Sequence, residues 1–482
     1  MYSKSILTVS FLFLALSTFA QEKWSLQKCV DYAMENNISI RQSELQENIS
    51  AINYKQSRLS QIPSANFSNS EGFRFGKSQN PSTGILENQN YFSIGLNLQS
   101  SVEIFNWFSK KNTILANEWN FESAKAQTEK LKDDIALLVA NSYLQVLLAI
   151  EQRKIADVQV KQSTTQLDIV KKQVSAGALP ELNALELEAQ LANDSANLIT
   201  AIGSVSQAKL VLKSNMFLDA AAPFEIEEPP IDKIPVESIG DLQPDYVYQL
   251  SLANLPQQRI NDFNLKAAIS NSRAAKASLY PSISAFGSLG TNYGYFRSPL
   301  FAKDFSGYAP SGLVIPDGSG GFIQVQQPVF TNGTKTGYVT SPAMGDQFSN
   351  NFGQQIGISL SVPIFNGWQS KANYQRSKIN IRNVEYQKSL DNENLKQNIY
   401  QAYNSAIVAR EKFTSSLKAV EAAQKSYDFA SKRYTVGILT TLELVTSQNN
   451  LFRAKLQYVV NQFDYVFKMK VLEFYKGQGL KL

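Results

Sequence analysis

The side chains that could carry out chemistry in this chain of 482 residues are carboxylates, hydroxyls and one thiol, because the sequence contains no histidine. Nucleophilic triads and metal sites that depend on histidine are therefore excluded. Cys29 is the only cysteine, so no disulfide can form within the chain. Glu225, Glu227 and Glu228 form a cluster, but they lie beside prolines, which is typical of a solvated surface. Catalysis by carboxylates alone stays open in principle, yet the sequence predicts no enzyme, no metal site and no cofactor.

A second group of polar residues has the spacing of one helix face. Glu443, Thr446 and Asn450 follow a glycine-containing turn and lie one residue away from an apolar row that steps by three and four. Copies of such a carboxylate arranged around a pore would form a ring that favours cations. Thr440 and Glu443 also have the spacing of a capping box, so Glu443 can cap its helix instead of, or as well as, forming such a ring.

Very long helices must position these residues. Neither proline nor glycine occurs from Ser109 to Val174 or from Gln369 to Tyr434. A rise of about 1.5 Å per residue makes each helix roughly 100 Å long, so it needs a coiled-coil partner. Heptad-type apolar rows occur on both of these helices and on the helices that follow them. The rows are Val139, Val146, Val160, Leu167 and Val174, with Arg153 as the one departure; Ile399, Ala406, Phe413, Val420, Tyr427 and Tyr434; Leu442, Val445, Asn449, Phe452, Leu456, Val459, Phe463 and Val466; and Leu182, Leu185, Ala189, Ala192, Ala196 and Ile199.

The turns after the long helices read "VSAGALPELNALE" and "YTVGILTTLELVT". Gly177 and Gly437 lie where each helix must stop, in a place that favours positive φ. Pro180 is acceptable as the first residue of the next helix. Leucines at both turns indicate a docking partner, although they could instead pack against each other across the hairpin. These leucines are Leu179, Leu182, Leu439 and Leu442.

Two pairs of strands precede the long helices. They are predicted at Asn66–Gly76 with Tyr91–Phe105 and at Ile283–Arg297 with Phe352–Phe365. The second strand of each pair alternates between apolar and polar residues, which fits either a half-buried soluble sheet or a membrane strand. Aromatic residues at the strand ends favour the membrane alternative, in which they would form a belt at the lipid interface. These residues are Trp107, Phe108, Phe365 and Trp368.

Four strands are too few to close a membrane barrel, since the smallest bacterial barrels have about eight. The sheet must then be completed by other copies of the chain. Two copies would give eight strands and three would give twelve. Because side chains fill the interior of an eight-stranded barrel, an open pore favours three or more copies.

Export is indicated by the first twenty residues. Lys4, the apolar run "ILTVSFLFLAL" and the small residues before Gln21 have the pattern of a secretory signal peptide. No later stretch has 18 consecutive apolar residues, which argues against a transmembrane helix. The net charge is +5, or +4 without the signal, and it is spread along the chain, so no nucleic-acid partner is predicted.

The chain is also a tandem duplication. "VEIFN" and "VPIFNGW" match at an offset of 260 residues, which continues through both turns, while an offset of 218 relates the upstream segments. The difference of 42 residues indicates an insertion in the second half. The predicted domains are a signal peptide at 1–20, a first repeat at 21–216 with its turn at 175–183, a Pro-rich linker at 217–245, a second repeat at 246–474 with a long extracellular loop at 298–351 and its turn at 435–443, and a C-terminal tail at 475–482.

The ordered set of these features resembles the TolC-type outer-membrane efflux family. It consists of the duplication, the paired strands with "VEIFN" and "VPIFNGW", and the turn "KRYTVGILTTLELVTSQNNL". The resemblance implies an α+β membrane protein built from a duplicated helix–strand–strand–long-helix–hairpin unit. It further implies a homotrimer whose twelve strands form one barrel in outer-membrane lipid, and whose twelve coiled-coil helices form a tunnel across the periplasm. The linker and the C-terminal residues would form a belt around that tunnel.

The resemblance also implies a gate at the periplasmic end. Tyr434 matches a gate tyrosine of the family, and Glu443 matches the first of two ring-forming acids. Thr446 stands where the second acid would be. Leu439 stands where some members have a gate-bracing arginine, and Asn183 where they have its acidic partner, so the ion pair between helices is absent.

The function implied by the resemblance is a passive outer-membrane exit duct for small molecules. An inner-membrane pump of RND or ABC type would supply the energy, and a periplasmic membrane-fusion adaptor would dock on the helix turns. An exit duct for type I protein secretion is the first alternative. A non-conducting surface coiled coil is another, although it has no use for strands of membrane length. The cargo cannot be read from the chain.

Overall fold

The computed structural model describes residues 23–79, 86–88, 90–231 and 234–477. The predicted signal peptide and the last five residues of the predicted tail lie outside the described residues. The chain forms two compact units. The first comprises residues up to 55, 113–272 and from 375 onward, and the second comprises residues 56–112 and 273–374.

Helices build the first unit. α1 is amphipathic and begins after Ser25, whose hydroxyl accepts a hydrogen bond from the Lys28 amide at 3.2 Å. The helices are α1 Leu26–Asn36, α2 Ile38–Leu59, α3 Ser109–Ser175, α4 Glu181–Met216, α5 Pro244–Asn254, α6 Pro256–Ala277, α8 Gln369–Thr435 and α9 Thr441–Phe474. α2, α3, α6 and α8 also extend into the second unit. The described part of the predicted linker contains the 3₁₀ turn Ile239–Asp241 before α5 begins at Pro244.

Three apolar clusters lie in this unit, and the two larger ones each join several helices. In the first, α1 and the C-terminal end of α4 pack on α3 around the fully buried Tyr143 and Cys29. The Tyr143 hydroxyl donates to the Glu227 carbonyl at 2.6 Å, and Trp24 pairs with the strand-like segment at Ile226. This contact ties the N-terminal segment to the linker. The second cluster joins α8, α9, α5 and the 3₁₀ turn, with Leu242, Val247, Ile399, Ala406, Met469 and Leu472 at its centre.

One passage of α3 is long and apolar enough to cross a membrane by length and composition, and no other helix in the described ranges passes that test. Within the chain 56% of this passage is buried. The burial is explained by the first apolar cluster, since Ile135–Ile150 supplies most of its α3 side chains.

An antiparallel sheet of four strands forms the second unit. Its order is β1-β4-β5-β8, from Ser64–Arg74, Tyr91–Phe105, Ser282–Tyr295 and Gly353–Ser361. The remaining elements are β2 Lys77–Gln79 with β3 Leu86–Asn88, β6 Arg297–Pro316 with β7 Phe322–Thr340, and α7 Met344–Asn350.

The structure corrects two strand boundaries and the predicted loop. The strand predicted at Phe352–Phe365 ends at Ser361, whereas its repeat counterpart β4 continues to Phe105. The reason is that Pro363 occupies the place of Glu103 and has no amide to donate to a ladder. The strand predicted at Ile283–Arg297 ends at Tyr295. The segment 298–351 was predicted as a loop, but it consists mainly of the long hairpin β6–β7 and the short helix α7.

The same backbone corner follows the last strand of each half. Trp107 and Phe108 have φ values of 52° and 64°, and Gly367 and Trp368 have values of 63° and 67°. Two successive left-handed residues turn the chain from an extended path into the first turn of a long helix. Such values are strained for bulky residues, at about 1–3 kcal/mol each, so the repeated corner is a specific feature of the fold.

Candidate functional site

The two turns between the long helices have the same hydrogen bonding. Gly177 and Gly437 have φ values of 71° and 77°, as the sequence predicted. The Ala178 amide donates to the Gln173 carbonyl at 2.8 Å, and the Ile438 amide donates to the Arg433 carbonyl at 2.9 Å. The glycine amides donate to the carbonyls of Val174 and Tyr434 at 2.9 and 3.0 Å, and the two bonds together form a Schellman motif in each turn. Pro180 is the N-cap of α4 rather than its first residue, because α4 begins at Glu181.

Glu443 is held in the predicted capping box at the start of α9. The Thr440 hydroxyl accepts from the Glu443 amide at 3.3 Å, and Glu443 Oε2 accepts from the Thr440 amide at 3.0 Å. The hydrogen bonds from Thr440, with a smaller contribution from the positive charge of Arg433, lower the pKa of the Glu443 carboxyl. The side chain is therefore a fixed negative charge at the surface of the turn.

The leucines of the turns divide into two groups. Leu179 and Leu439 are half-buried, and Leu179 packs against a small cluster centred on Leu187. Leu182 and Leu442 are exposed by 62% and 63%. Leu179 thus follows the packing alternative, whereas the exposed Leu182 and Leu442 remain available to a docking partner.

The second turn carries two exposed apolar side chains that were not predicted from the sequence. Val436 and Ile438 are each 67% exposed. Their repeat counterparts at the first turn are Ala176 and Ala178, so the second turn carries the larger apolar surface. The sequence carries a signal for this difference, because the residues on either side of the glycine are alanines in the first turn and larger apolar residues in the second.

The predicted gate residues do not form one cluster within a single chain. The half-buried Tyr434 packs against the Leu187 cluster, and its hydroxyl lies 3.3 Å from that of Thr441. Thr446 is exposed and donates to the Leu442 carbonyl at 2.7 Å. Asn450 is also exposed, and Asn183 is half-buried. Tyr434 therefore braces its own hairpin, while Glu443, Thr446 and Asn450 remain on an exposed helix face.

The apolar row predicted on α9 is only partly buried in its first three turns, where Val445, Asn449 and Phe452 are half-buried and Val445 packs against the Leu187 cluster. The buried positions there are Thr441, Leu444, Gln448 and Leu451, whereas Leu442 is exposed. Further along, the predicted Phe463 and Val466 are buried. The face that these turns bury mixes leucines with polar residues, and the Gln448 amide donates to Ser163 of α3 at 3.3 Å.

The row predicted on α4 lies on the surface of the chain. Leu182, Leu185 and Ile199 are exposed by 54–70%, and the alanines between them are exposed too. The face that α4 buries within the chain carries Ala184, Leu187, Gln190 and Asp194 instead. A heptad row of apolar and small residues is therefore left without a partner in a single chain.

A buried polar network joins α3, α4 and α9 above the turns. Asp194 is only 2% exposed, and it accepts hydrogen bonds from Ser163 Oγ at 2.5 Å, Gln159 Nε2 at 3.2 Å and Gln190 Nε2 at 2.9 Å. Gln190 also exchanges two amide hydrogen bonds with Asn449, at 2.9 and 3.1 Å. Asn449 belongs to the apolar row predicted on α9, and a polar residue in such a row indicates a buried hydrogen-bonded partner, here Gln190.

The four-stranded sheet has one mainly apolar face, which also carries Asn69, Glu71 and Thr291, and one mainly polar face. The registers place Phe92, Ile94, Leu96 and Leu98 of β4 on the same face as Leu289 and Tyr293 of β5, Phe67 and Phe73 of β1, and Ile356, Ile358 and Leu360 of β8. The other face carries mainly serine, asparagine, glutamine and glycine. Ile356 and Ile358 are exposed by 92% and 73%, so nothing in the described chain covers the apolar face at β8.

Aromatic residues lie at the ends of these strands. Trp107, Phe108, Phe365 and Trp368 are exposed by 44–87%. The Trp107 ring lies 4.8 Å from that of Tyr280 and 5.6 Å from that of Phe105. Among the described residues no group of histidine, cysteine and acidic side chains has the arrangement needed to hold a metal ion.

Comparisons with known proteins agree with this architecture. The model of the family described as outer membrane efflux protein matches residues 29–216 and 247–467. The probable efflux pump outer membrane protein TtgC of Pseudomonas putida is 25% identical over 258 residues, which cover 52% of this chain and 40% of TtgC. The outer membrane protein TolC of Escherichia coli is 24% identical over 133 residues, or 27% of each chain. The chain thus spans well under two thirds of the length of these relatives.

Solved structures show the same fold at low identity. The outer membrane protein VceC of Vibrio cholerae has a TM-score of 0.71 and 14% identity, with 95% of this chain and 97% of VceC covered. The MtrE outer membrane channel of Neisseria gonorrhoeae in its open state has a TM-score of 0.70 and 19% identity, with 95% and 89% covered. These comparisons confirm the resemblance and the outer-membrane localisation predicted from the sequence. The chain belongs to the outer membrane efflux protein family.

Proposed function

We propose that three copies of this chain form a passive exit duct for small molecules in the outer membrane. The observation that carries the proposal is the four-stranded sheet, with its exposed apolar face, its polar opposite face and its two unpaired edges. Apolar residues suit contact with lipid, and polar residues suit a water-filled interior. Within the described residues, β1 and β8 each have a free edge, which lipid does not tolerate unless another strand pairs with it.

Three copies give twelve strands, with β8 of one copy pairing with β1 of the next. The exposed row on α4 supports the same assembly. Leu182, Leu185 and Ile199 with the intervening alanines have the spacing of a coiled-coil seam, and a helix of a neighbouring copy would bury them. The helices of the three copies would then continue the duct as a twelve-helix tunnel in the periplasm.

The turns are the proposed docking surface for a periplasmic membrane-fusion adaptor. Leu182 at the first turn and Val436, Ile438 and Leu442 at the second form exposed apolar tips on rigid Schellman turns. Such tips suit contact with another protein. An inner-membrane pump of RND or ABC type would supply the energy, since this chain has no nucleotide-binding loop.

Glu443, Thr446 and Asn450 are proposed to face the interior at the periplasmic end of the duct. Three copies of the fixed Glu443 carboxylate would form a ring that favours cations. Tyr434 and Asn183 would support this end from within each hairpin. The inter-helix ion pair seen in some family members has no equivalent here, since Leu439 and Asn183 take its positions.

The test of this function is conductance of the purified protein in a planar lipid bilayer. We expect discrete single-channel steps and a preference for cations. Protein that inserts into the bilayer without conducting would refute the duct and favour a structural role. A matched control is the protein unfolded and diluted from denaturant, which should give no steps.

A further inference from the structure

Within the chain, the short helix of the second repeat, α6, packs against the long helix of the first repeat, α3. The Phe263 and Trp119 rings are stacked, with their centroids 5.8 Å apart. At the next positions along the contact, the Ser123 hydroxyl donates to Asn264 Oδ1 at 2.8 Å. Ala267 of α6 continues the same face one turn after Phe263 and is buried. This contact therefore joins the two repeats.

The positions that meet in this contact recur at i, i+4 and i+7 of each helix. They are Phe263, Ala267 and Ser270 on α6, and Trp119, Ser123 and Ala126 on α3. The two aromatic residues are half-buried, and the other four residues are buried. Such spacing gives each helix one continuous face over about two turns.

The repeat equivalents of these six positions are exposed in the single chain. On α2, at the offset of 218 residues, they are Leu45, Ile49 and Ile52. On α8, at the offset of 260 residues, they are Ile379, Asn383 and Tyr386. All six side chains are exposed, and the aliphatic ones and the tyrosine are exposed by 49–73%. A different side of α2 is already occupied by α3, since the Ser43 and Thr128 hydroxyls lie 2.9 Å apart.

We propose that α2 of one copy packs on α8 of the next copy through these two rows, in the register that α6 and α3 adopt within the chain. The proposal rests on the assembly of copies proposed above and names its contact in the helical unit. Each chain offers one α2 row and one α8 row, so the contact is head to tail, and every copy of a closed ring uses both rows. The sheet shows the same relation, because β4 pairs with β5 within the chain while their repeat equivalents, β8 and β1, each have a free edge.

The apolar part of the contact is larger between copies than within the chain. Ile49 stands where α6 has the small Ala267, and Tyr386 stands where α3 has the small Ala126. The larger side chains hold the two helices further apart and remove more apolar surface from water. An aliphatic pair of Leu45 with Ile379 takes the place of the aromatic stack.

The polar part of the contact consists of amides rather than charges. Gln46 and Asn383 are exposed, and they are the repeat equivalents of the hydrogen-bonded Asn264 and Ser123. Two carboxamides can donate and accept toward each other. The ion pair that Arg259 forms with Glu129 within the chain is not repeated, because Ser389 stands at the equivalent of Glu129.

The test is cross-linking of the full-length protein in outer membranes with a short reagent that joins two thiols. Gln46→Cys combined with Asn383→Cys places one thiol on each side of the proposed contact. The native thiol should not react, because Cys29 is fully buried and burial raises the pKa of its thiol to about 12. Denaturing electrophoresis should show covalent products of two and three chains and the loss of most of the single-chain band.

The matched control is Gln46→Cys combined with Glu385→Cys. Glu385 is exposed as well, but it lies about 200° around α8 from Asn383. This pair should leave the protein in the single-chain band. If the first pair does not fold, Leu45→Cys combined with Ile379→Cys tests the same contact.

Native mass separates this proposal from the proposed duct. Three copies that cross-link no better through the contact pairs than through the control pair would overturn the contact and leave the duct standing. Cross-linking through the contact pairs in an assembly of two copies would support the contact and contradict the three-copy duct. A single copy without cross-links would overturn both.

Discussion

Replacing Asp194 with alanine should strongly destabilise the helical hairpins. The carboxylate is 2% exposed and accepts three side-chain hydrogen bonds, from Ser163, Gln159 and Gln190. Its removal leaves buried donors without an acceptor, at about 1–3 kcal/mol for each group. Gln190 Nε2 keeps its hydrogen bond to Asn449 Oδ1, whereas the Ser163 hydroxyl only accepts from Gln448 and loses the acceptor of its own proton. We therefore expect a loss of about 3 kcal/mol in the free energy of unfolding per chain.

The assay is denaturant unfolding of the detergent-solubilised protein, followed by the loss of helical circular dichroism. Asp194→Asn keeps one acceptor oxygen and the side-chain size, so its loss should be smaller, about 1–2 kcal/mol. Asn193→Ala, at the exposed neighbouring position, should have no measurable effect. An Asp194→Ala protein as stable as the wild type would refute the reasoning, and so would one more stable than Asp194→Asn.

Three further changes test other parts of the account. Ala192→Asp should prevent assembly, because it would bury an unpaired charge between copies, in the exposed row of α4, at a cost of several kcal/mol. Ala192→Ser should still assemble. Native mass distinguishes the two variants, and trimers of Ala192→Asp would contradict the proposed contact between copies. Glu443→Gln can still cap α9, so it should reduce the cation preference of the channel without loss of assembly, and an unchanged reversal potential would remove the ring. Because the pKa of Glu443 is lowered on folding, its stabilising contribution should be present at neutral pH and lost as the pH falls through that lowered pKa. The free energy of unfolding, measured at decreasing pH, should show this loss in the wild type and lack it in Glu443→Gln. Ile438→Asp combined with Leu442→Asp should abolish export in cells while trimers persist, and normal export would exclude these tips as the adaptor contact.

Local signals in the sequence predicted much of the fold. The glycines of the turns, the capping box at Thr440 and the alternation of β4 each depend on a few neighbouring residues, and each is present in the structure. The hairpin β6–β7 was missed because its Gly, Ser and Pro content is typical of loops. The burial of α4 was missed because two of its faces carry apolar residues with helical spacing. The face that packs inside the chain carries both Leu187 with its apolar cluster and Asp194 with its polar partners.

Contacts between distant segments account for most of what the sequence did not reveal. Apart from Gln190, which is four positions from Asp194, the network joins residues that are 31 to 285 positions apart, and no local pattern records such pairings. In contrast, the capping role of Glu443 was visible because its partner, Thr440, is three residues away.

The most direct test of the central claim is the native mass of the full-length protein extracted from the outer membrane in detergent. The claim is that four strands with two free edges and an apolar face are completed by identical copies into one barrel. The account predicts a mass of three chains after the detergent contribution is subtracted. A stable monomer would contradict it, because the edges of β1 and β8 would then be left unpaired in lipid.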